Sequence, residues 1–148
     1  RELDHENIPK LYEVYEDKND FFLILEYVNG KTLIDFMRTK GKMLKEEESL
    51  IILKSILKTL VYLHQEKEIM HRDLKPENIM ICTDENGEAT AKILDFGLAE
   101  KVSTCDYIHV RCGTPGFVAP EIVNAKPGSD HYSSVCDVFS LGIVFHLM

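Results

Sequence analysis

The chain has 148 residues, 45% of them hydrophobic and 28% charged, with a net charge of −8. That is enough apolar material for one core, no apolar run approaches the length of a membrane span, and the negative balance argues against a nucleic-acid surface. Cys82, Cys105, Cys112 and Cys136 form no C-x-x-C pair, so neither a zinc site nor a redox motif is suggested and reduced thiols are expected.

Lys10 to Tyr27 alternates loosely and carries the apolar run Phe21-Phe22-Leu23-Ile24-Leu25 after Asp17-Lys18-Asn19-Asp20, which predicts two strands joined by a polar turn. Glu26-Tyr27-Val28-Asn29-Gly30 ends that pattern at Asn-Gly, a place for a linker. Thr32 to Thr39 predicts a short amphipathic helix stopped by Gly41. Glu46 to Gln65 predicts a longer helix whose apolar face is Leu50, Ile51, Leu53, Ile56, Leu57, Leu60, Val61 and Leu63. Glu46, Glu47 and Glu48 fall in its first turn, where negative charge is favoured, and read as a solvated helix start; His64 near its end reads as structural. Ile79 to Cys82 and Ala91 to Leu94 predict two short strands around the turn Asp84-Glu85-Asn86-Gly87, whose acids lack the spacing of a calcium-binding EF-hand loop. Leu98 to Arg111 has little periodicity, and Asp137 opens a helix that runs to Met148.

The residues that carry chemistry sit between these elements. His71-Arg72-Asp73-Leu74-Lys75-Pro76-Glu77-Asn78 precedes the first short strand, Asp95-Phe96-Gly97 follows the second, and Ala119-Pro120-Glu121 lies further on. The strand pair puts Asn78 and Asp95 at neighbouring strand ends, a geometric reason for both to reach one metal cluster. Singly, each has an ordinary explanation: Asp73 and Asn78 as turn formers, Phe96 as a core aromatic, Lys75 as a surface charge. No packing rule demands two acids, an amide and a lysine at this spacing between apolar runs.

Together these motifs resemble the catalytic half of a eukaryotic protein kinase of the serine/threonine type. The resemblance implies an α+β, bilobal fold, with residues 1–25 as the rear of the small lobe, 26–30 as the hinge and 31–148 as the catalytic core of a mainly helical large lobe. Arg1 to Ile8 is similar to the end of the small-lobe helix and the turn after it. The implied activity is transfer of the γ-phosphate of ATP, with magnesium, to a protein serine or threonine hydroxyl, a reaction that depends mostly on positioning and charge neutralisation. Asp73 would accept or orient the hydroxyl proton, and Lys75 would neutralise charge on the moving phosphate. Asn78 and Asp95 would hold magnesium through hard oxygen atoms, and Thr114 would hydrogen-bond toward Asp73 and Lys75. In the nucleotide site Leu25 would guard the rear pocket, the Glu26 C=O and Val28 N–H would meet the adenine edge, Met80 would form the floor supported by Val144 and Met148, and Glu77 would add an acidic contact. Leu11, His71 and Phe96 would stack in a regulatory column, Gly97 would let its loop turn, Glu121 would be structural, and Asp137 would anchor the backbone around His71 and Arg72.

The block from Gly113 to Glu121 is most similar to calmodulin-dependent and related basic-residue-directed kinases, and Thr32 stands where many of these carry a substrate-binding glutamate. Arg72 suits a phosphate or carboxylate from the segment after residue 97. Val110 stands where related kinases carry a phosphorylated threonine, and the segment offers Ser103, Thr104 and Tyr107 instead. Two expectations stay open: control without a phosphate here, through a partner or calcium sensor outside this chain, which is favoured, or a displaced phosphorylation site at Thr104. The chain holds no Gly-x-Gly-x-x-Gly loop and no Val-Ala-Ile-Lys-like strand, so it is expected to cover about half of the family's domain and to be inactive alone. A non-catalytic kinase-fold binding module is the alternative. A cytoplasmic location is expected, with the nucleus open.

Overall fold

The computed structural model describes residues 2–41, 43–83, 87–104, 107, 109–126 and 132–148. Residues 2–5 are not helical, and the turn that follows is closed by Ile8 N–H donating to the His5 carbonyl at 3.0 Å. Strands β1 (Leu11–Glu16) and β2 (Phe21–Leu25) pair antiparallel with Val14 opposite Leu23 and Tyr15 opposite Phe22. Their polar turn is closed by Asp17 N–H on the Asp20 carbonyl at 2.9 Å. The pattern stops at residues 26–30, as Asn-Gly predicts.

A two-residue strand β3 (Lys31–Thr32) leads into helix α1 (Leu33–Thr39), which Thr32 caps by accepting from the Asp35 N–H at 3.3 Å. Helix α2 (Glu46–Val61) starts at the acidic run, but Glu48 is more than solvated. It accepts from the Lys45 N–H at 3.2 Å and from Lys40 Nζ at 2.6 Å, capping the helix. The predicted apolar face of α2 is displaced. Ile52, Ile56 and Leu60 are buried, whereas Leu50, Ile51, Leu57 and Val61 are exposed. The helix is apolar almost all round between residues 50 and 53, so residue type alone does not fix which side turns inward; the i, i+4 row through Ile52 does. The last turn widens into a π-helical turn at Tyr62–Glu66, the kind of irregularity found at functional sites.

Strands β5 (Ile79–Thr83) and β6 (Ala89–Ile93) form a sheet with β3 in the order β3-β5-β6, Ile79 facing Ile93 and Met80 facing Lys92. The second strand ends one residue earlier than expected, and Leu94 N–H instead donates to the Asn78 carbonyl at 2.8 Å. Residues 84–86 of the predicted turn, and Cys105, lie outside the described residues. Strand β4 (Ile69–Met70) pairs with β7 (Glu100–Lys101). Helices α3 (Pro120–Asn124) and α4 (Val135–Leu147) complete the order.

The main core gathers Ile52, Ile56, Leu63, Leu74, Ile79 and Val144, with Met148 also inside it. A second cluster holds Met70, Tyr107, Ile122, Tyr132 and Cys136. Burial pushes the Cys136 thiol far up, so it stays protonated and structural. No helix among the described residues is long and apolar enough to cross a membrane.

Candidate active site

Two residues at the site, one in the loop from His71 to Asn78 and one just after β6, take a backbone that L-residues seldom adopt. Arg72 sits at φ 67° and Asp95 at φ 57°, conformations that cost about 1–3 kcal/mol each and persist only when the surroundings hold them. Asp137, fully buried near the start of α4, supplies that hold: its two oxygens accept the His71 and Arg72 N–H groups, each at 2.8 Å. His64 Nε2 meets the same carboxylate at 2.8 Å, which gives the expected structural histidine its partner.

His71 joins the two loops. Its Nδ1 lies 3.3 Å from the Asp73 N–H and must accept, so Nε2 carries the proton and donates to the Leu94 carbonyl at 2.9 Å. Burial pushes its pKa down and keeps the ring neutral, which is the form this pair of contacts requires. The ring meets Phe96 edge-on, with centroids 5.0 Å apart. The turn at Asp95-Phe96-Gly97 is closed within the motif itself. The left-handed residue is Asp95 and not Gly97; Gly97 N–H donates to Asp95 Oδ1 at 3.0 Å, and a Cβ at Gly97 would lie only 3.0 Å from that oxygen. Close approach, not a positive φ, is what favours glycine there.

Three side chains converge on the Asp73 carboxylate. Thr114 donates its hydroxyl to Oδ1 at 2.6 Å, while Asn78 Nδ2 and Lys75 Nζ reach Oδ2 at 3.1 and 3.0 Å. Lys75 also donates to Thr114 Oγ1 at 2.8 Å. The Asn78 amide nitrogen spends its second proton on the Asp73 carbonyl at 2.9 Å, which turns the amide oxygen away from Asp73.

Beside this cluster lies a cavity of about 600 Å³ between the β1–β2 hairpin and β5. It is lined by Leu11, Leu25, Glu26, Val28, Met80, Asp95, Phe96 and Gly97, together with Leu3, Ile8, Pro9, Leu23, Tyr27 and Leu94. Glu77 is exposed on the 3₁₀ turn Pro76–Asn78 and outside the cavity lining. Glu121 is exposed in the first turn of α3.

A family model described as protein kinase domain matches residues 1–148. The chain belongs to that family. It is 38% identical over 98% of its length to a probable myosin light chain kinase of Dictyostelium discoideum, 40% over 99% to the human serine/threonine-protein kinase DCLK3, and 39% over its whole length to calcium-dependent protein kinase 5 of Plasmodium falciparum. It spans 44%, 21% and 25% of those relatives.

Several residues that shape this kinase domain gave no local signal. Lys92 grips the Glu26 carboxylate at 2.7 Å, and Lys10 N–H adds a contact at 3.1 Å; both hold Glu26 below the usual carboxylate range. Arg72 donates through Nε to the Leu98 carbonyl at 2.6 Å, and through Nη1 to the His109 carbonyl at 3.0 Å and the Tyr132 hydroxyl at 2.8 Å. Burial pushes the Tyr132 phenol up to about 12, so it meets Arg72 as a neutral dipole. Tyr107 is buried, its hydroxyl donating to the Tyr132 carbonyl at 3.1 Å, and is no solvated loop residue. Tyr132 and Arg72 are 60 positions apart, too far for any spacing rule to couple them.

Proposed function

We propose that the full-length protein transfers the γ-phosphate of ATP to serine or threonine hydroxyls of protein substrates, with Asp73 receiving or orienting the hydroxyl proton. The observation that carries this reading is the Asp73 carboxylate held by Thr114, Asn78 and Lys75 at once. An ionised carboxylate offers about four acceptor sites, and these three donors leave one for a substrate hydroxyl. Fixing the carboxylate in advance supplies the orientation that phosphoryl transfer depends on. Lys75 stands beside it as a point cation for charge on the transferred group.

The donor set fits magnesium. Among the described residues no group of three or more His, Cys, Asp and Glu side chains is gathered for a metal, and magnesium in phosphate-transfer sites takes one or two protein oxygens, completing its shell with phosphates and water. The Asn78 amide oxygen and the Asp95 carboxylate would hold it; once bound, it neutralises charge on the phosphates. In the apolar cavity Met80 would support the nucleotide base, Leu25 would close the rear, and the Glu26 C=O and Val28 N–H would read the adenine edge. Leu11, His71 and Phe96 form the regulatory column behind it.

The serine/threonine preference rests on Lys75 after Asp73, on the Gly113 to Glu121 block, and on the names of the relatives. Control by a calcium-sensing partner is part of the same proposal, supported by a relative named as calcium-dependent. A non-catalytic module gains no support from a chain that keeps Asp73, Lys75, Asn78 and Asp95 together. Asp73→Asn in the full-length protein is expected to lower kcat by ~10²–10⁴-fold while nucleotide affinity is kept, and Asp95→Asn to remove magnesium-dependent nucleotide binding. Peptide phosphorylation and titration with a fluorescent ATP analogue measure the two; near-normal turnover by the Asp73 variant would overturn the assignment.

A further inference from the structure

The linker from Glu26 to Gly30 is tied at both ends to the β5–β6 pair. At the first end Lys92 of β6 grips the Glu26 carboxylate at 2.7 Å. At the second, Gly30 lies directly on the backbone of β5. A Cβ there would come 2.3 Å from the Ile81 carbonyl oxygen, 3.0 Å from the Ile81 carbonyl carbon and 3.1 Å from Met80 Cγ. The closest of these partners is main chain inside a paired strand, which cannot swing aside as the end of a side chain can, so the linker itself would have to move.

Neither burial nor a left-handed turn asks for glycine at this position. Gly30 is exposed, and its φ is not in the left-handed region. Glycine is also costly to order, because it gives up the most conformational freedom. What the missing side chain allows is approach. Strand β3 starts at the next residue and pairs with β5, Lys31 facing Ile81 and Thr32 facing Met80.

We propose that Gly30 is a positioning residue for the nucleotide base: by letting the linker lie on β5 with no side chain between them, it fixes the distance from Val28 to Met80 and so the width of the slot a flat base enters. This rests on the reading of the cavity as the adenine site. Val28 and Met80 both line that cavity, one from the linker and the other from β5, and Gly30 is where the linker meets β5. Ordinary contact begins at 3.4 Å, so relieving a 2.3 Å approach would lift the linker by about 1 Å. A gap of about 0.5–1 Å on one face of the base forfeits roughly a quarter to a half of the dispersion attraction there, and the Glu26 C=O and Val28 N–H would leave the adenine edge with it. Asp73, Lys75, Asn78 and Asp95 are not on the linker, so the groups assigned to the phosphates and the substrate hydroxyl would keep their places.

The test uses the full-length protein as wild type and Gly30→Ala. Dissociation constants for adenosine and for ATP are measured by calorimetry, with kcat at saturating ATP, KM for a peptide substrate and the thermal midpoint alongside. Gly30→Ala should weaken adenosine and ATP by the same factor, about tenfold, the scale of a neutral hydrogen bond lost from the adenine edge. Its kcat at saturating ATP and its KM for the peptide should be nearly unchanged. Wild-type affinity for adenosine in the variant overturns the proposal, and so does a loss confined to ATP, which would place the effect on the phosphates. A lower kcat with both dissociation constants unchanged marks a merely structural role and overturns it too. If Gly30→Ala fails to fold, hydrogen exchange on the wild type decides. Bound adenosine must then slow the amides of Gly30, Lys31 and Thr32 as well as that of Val28, and protection confined to Val28 counts against the proposal. Adenosine that binds wild type and variant equally sinks this inference alone; adenosine that does not bind wild type sinks the reading of the cavity beneath it.

Discussion

The hairpin that lines the cavity and the loop that lies beside it are built on opposite principles. On one side the loop from Met70 to Asn78 is almost wholly buried, and Asp137, His71 and Asn78 meet its polar groups one by one. On the other, every residue of β2 is exposed, Phe21, Phe22, Leu23, Ile24 and Leu25 included. An isolated two-stranded hairpin is marginal in water, so the hairpin lends shape to the cavity while the loop lends it rigidity. Strained backbone sits where packing can hold it: the left-handed Arg72 lies in that loop, and the left-handed Asp95 follows β6.

The packed side is where substitutions should hurt most. Ile52→Ala removes a fully buried side chain from α2 and should destabilise the fold by about 2–5 kcal/mol in chemical denaturation. Ile51→Ala, at a residue 50% exposed, should stay within about 0.5 kcal/mol. Equal effects would mean that the buried face of α2 is misassigned. Asp137→Asn is the next step down. The amide can accept from only one of the two N–H groups the carboxylate now serves, leaving a buried donor unmet at about 1–3 kcal/mol. The strained φ of Arg72 should relax with it, so kcat should fall along with the thermal midpoint. A loss of stability with kcat unchanged would show that Asp137 does not position the loop.

The contrast between the two sides also explains what was legible in the sequence. The candidate cluster was legible as a juxtaposition because its members are near one another in the chain or fixed by short strands: Asp73, Lys75 and Asn78 lie close together in sequence, and the pairing of Ile79 with Ile93 carries Asp95 alongside. Strand and helix limits were legible from turn residues and caps such as Thr32 and the acidic start of α2. The inward side of α2 was not, because an almost wholly apolar stretch carries no phase. Nor were Lys92 on Glu26, or Tyr132 on Arg72. Each is an ordinary residue made functional by a tertiary neighbour, and no local pattern sets it apart from a surface charge or a core aromatic. The detailed role of Gly97 was out of reach for a related reason. A glycine in a turn suggests a positive φ, and only the backbone shows that Asp95 takes that conformation while Gly97 merely makes room.

The smallest effect is expected in the hairpin, and it separates local from global stability. Among the described residues, hydrogen bonds between β1 and β2 close a sheet of these two strands alone, extended by Glu26 N–H on the Lys10 carbonyl at 2.8 Å and tied to β6 by Lys92 on Glu26. Phe22→Ser removes the cross-strand contact with Tyr15, worth about 0.2–1 kcal/mol in a strand pair. If the hairpin opens by itself, that loss appears only in its own amides. Native-state hydrogen exchange should then show Leu23 and Val14 exchanging several-fold faster in the variant, with Ile56 in α2 and Ile81 in β5 unchanged, because local openings draw on local contacts. The global denaturation midpoint should not move. A midpoint that falls together with faster exchange at Ile56 would show that the two sides unfold as one unit, and that the exposed hairpin contributes to the stability of the catalytic side.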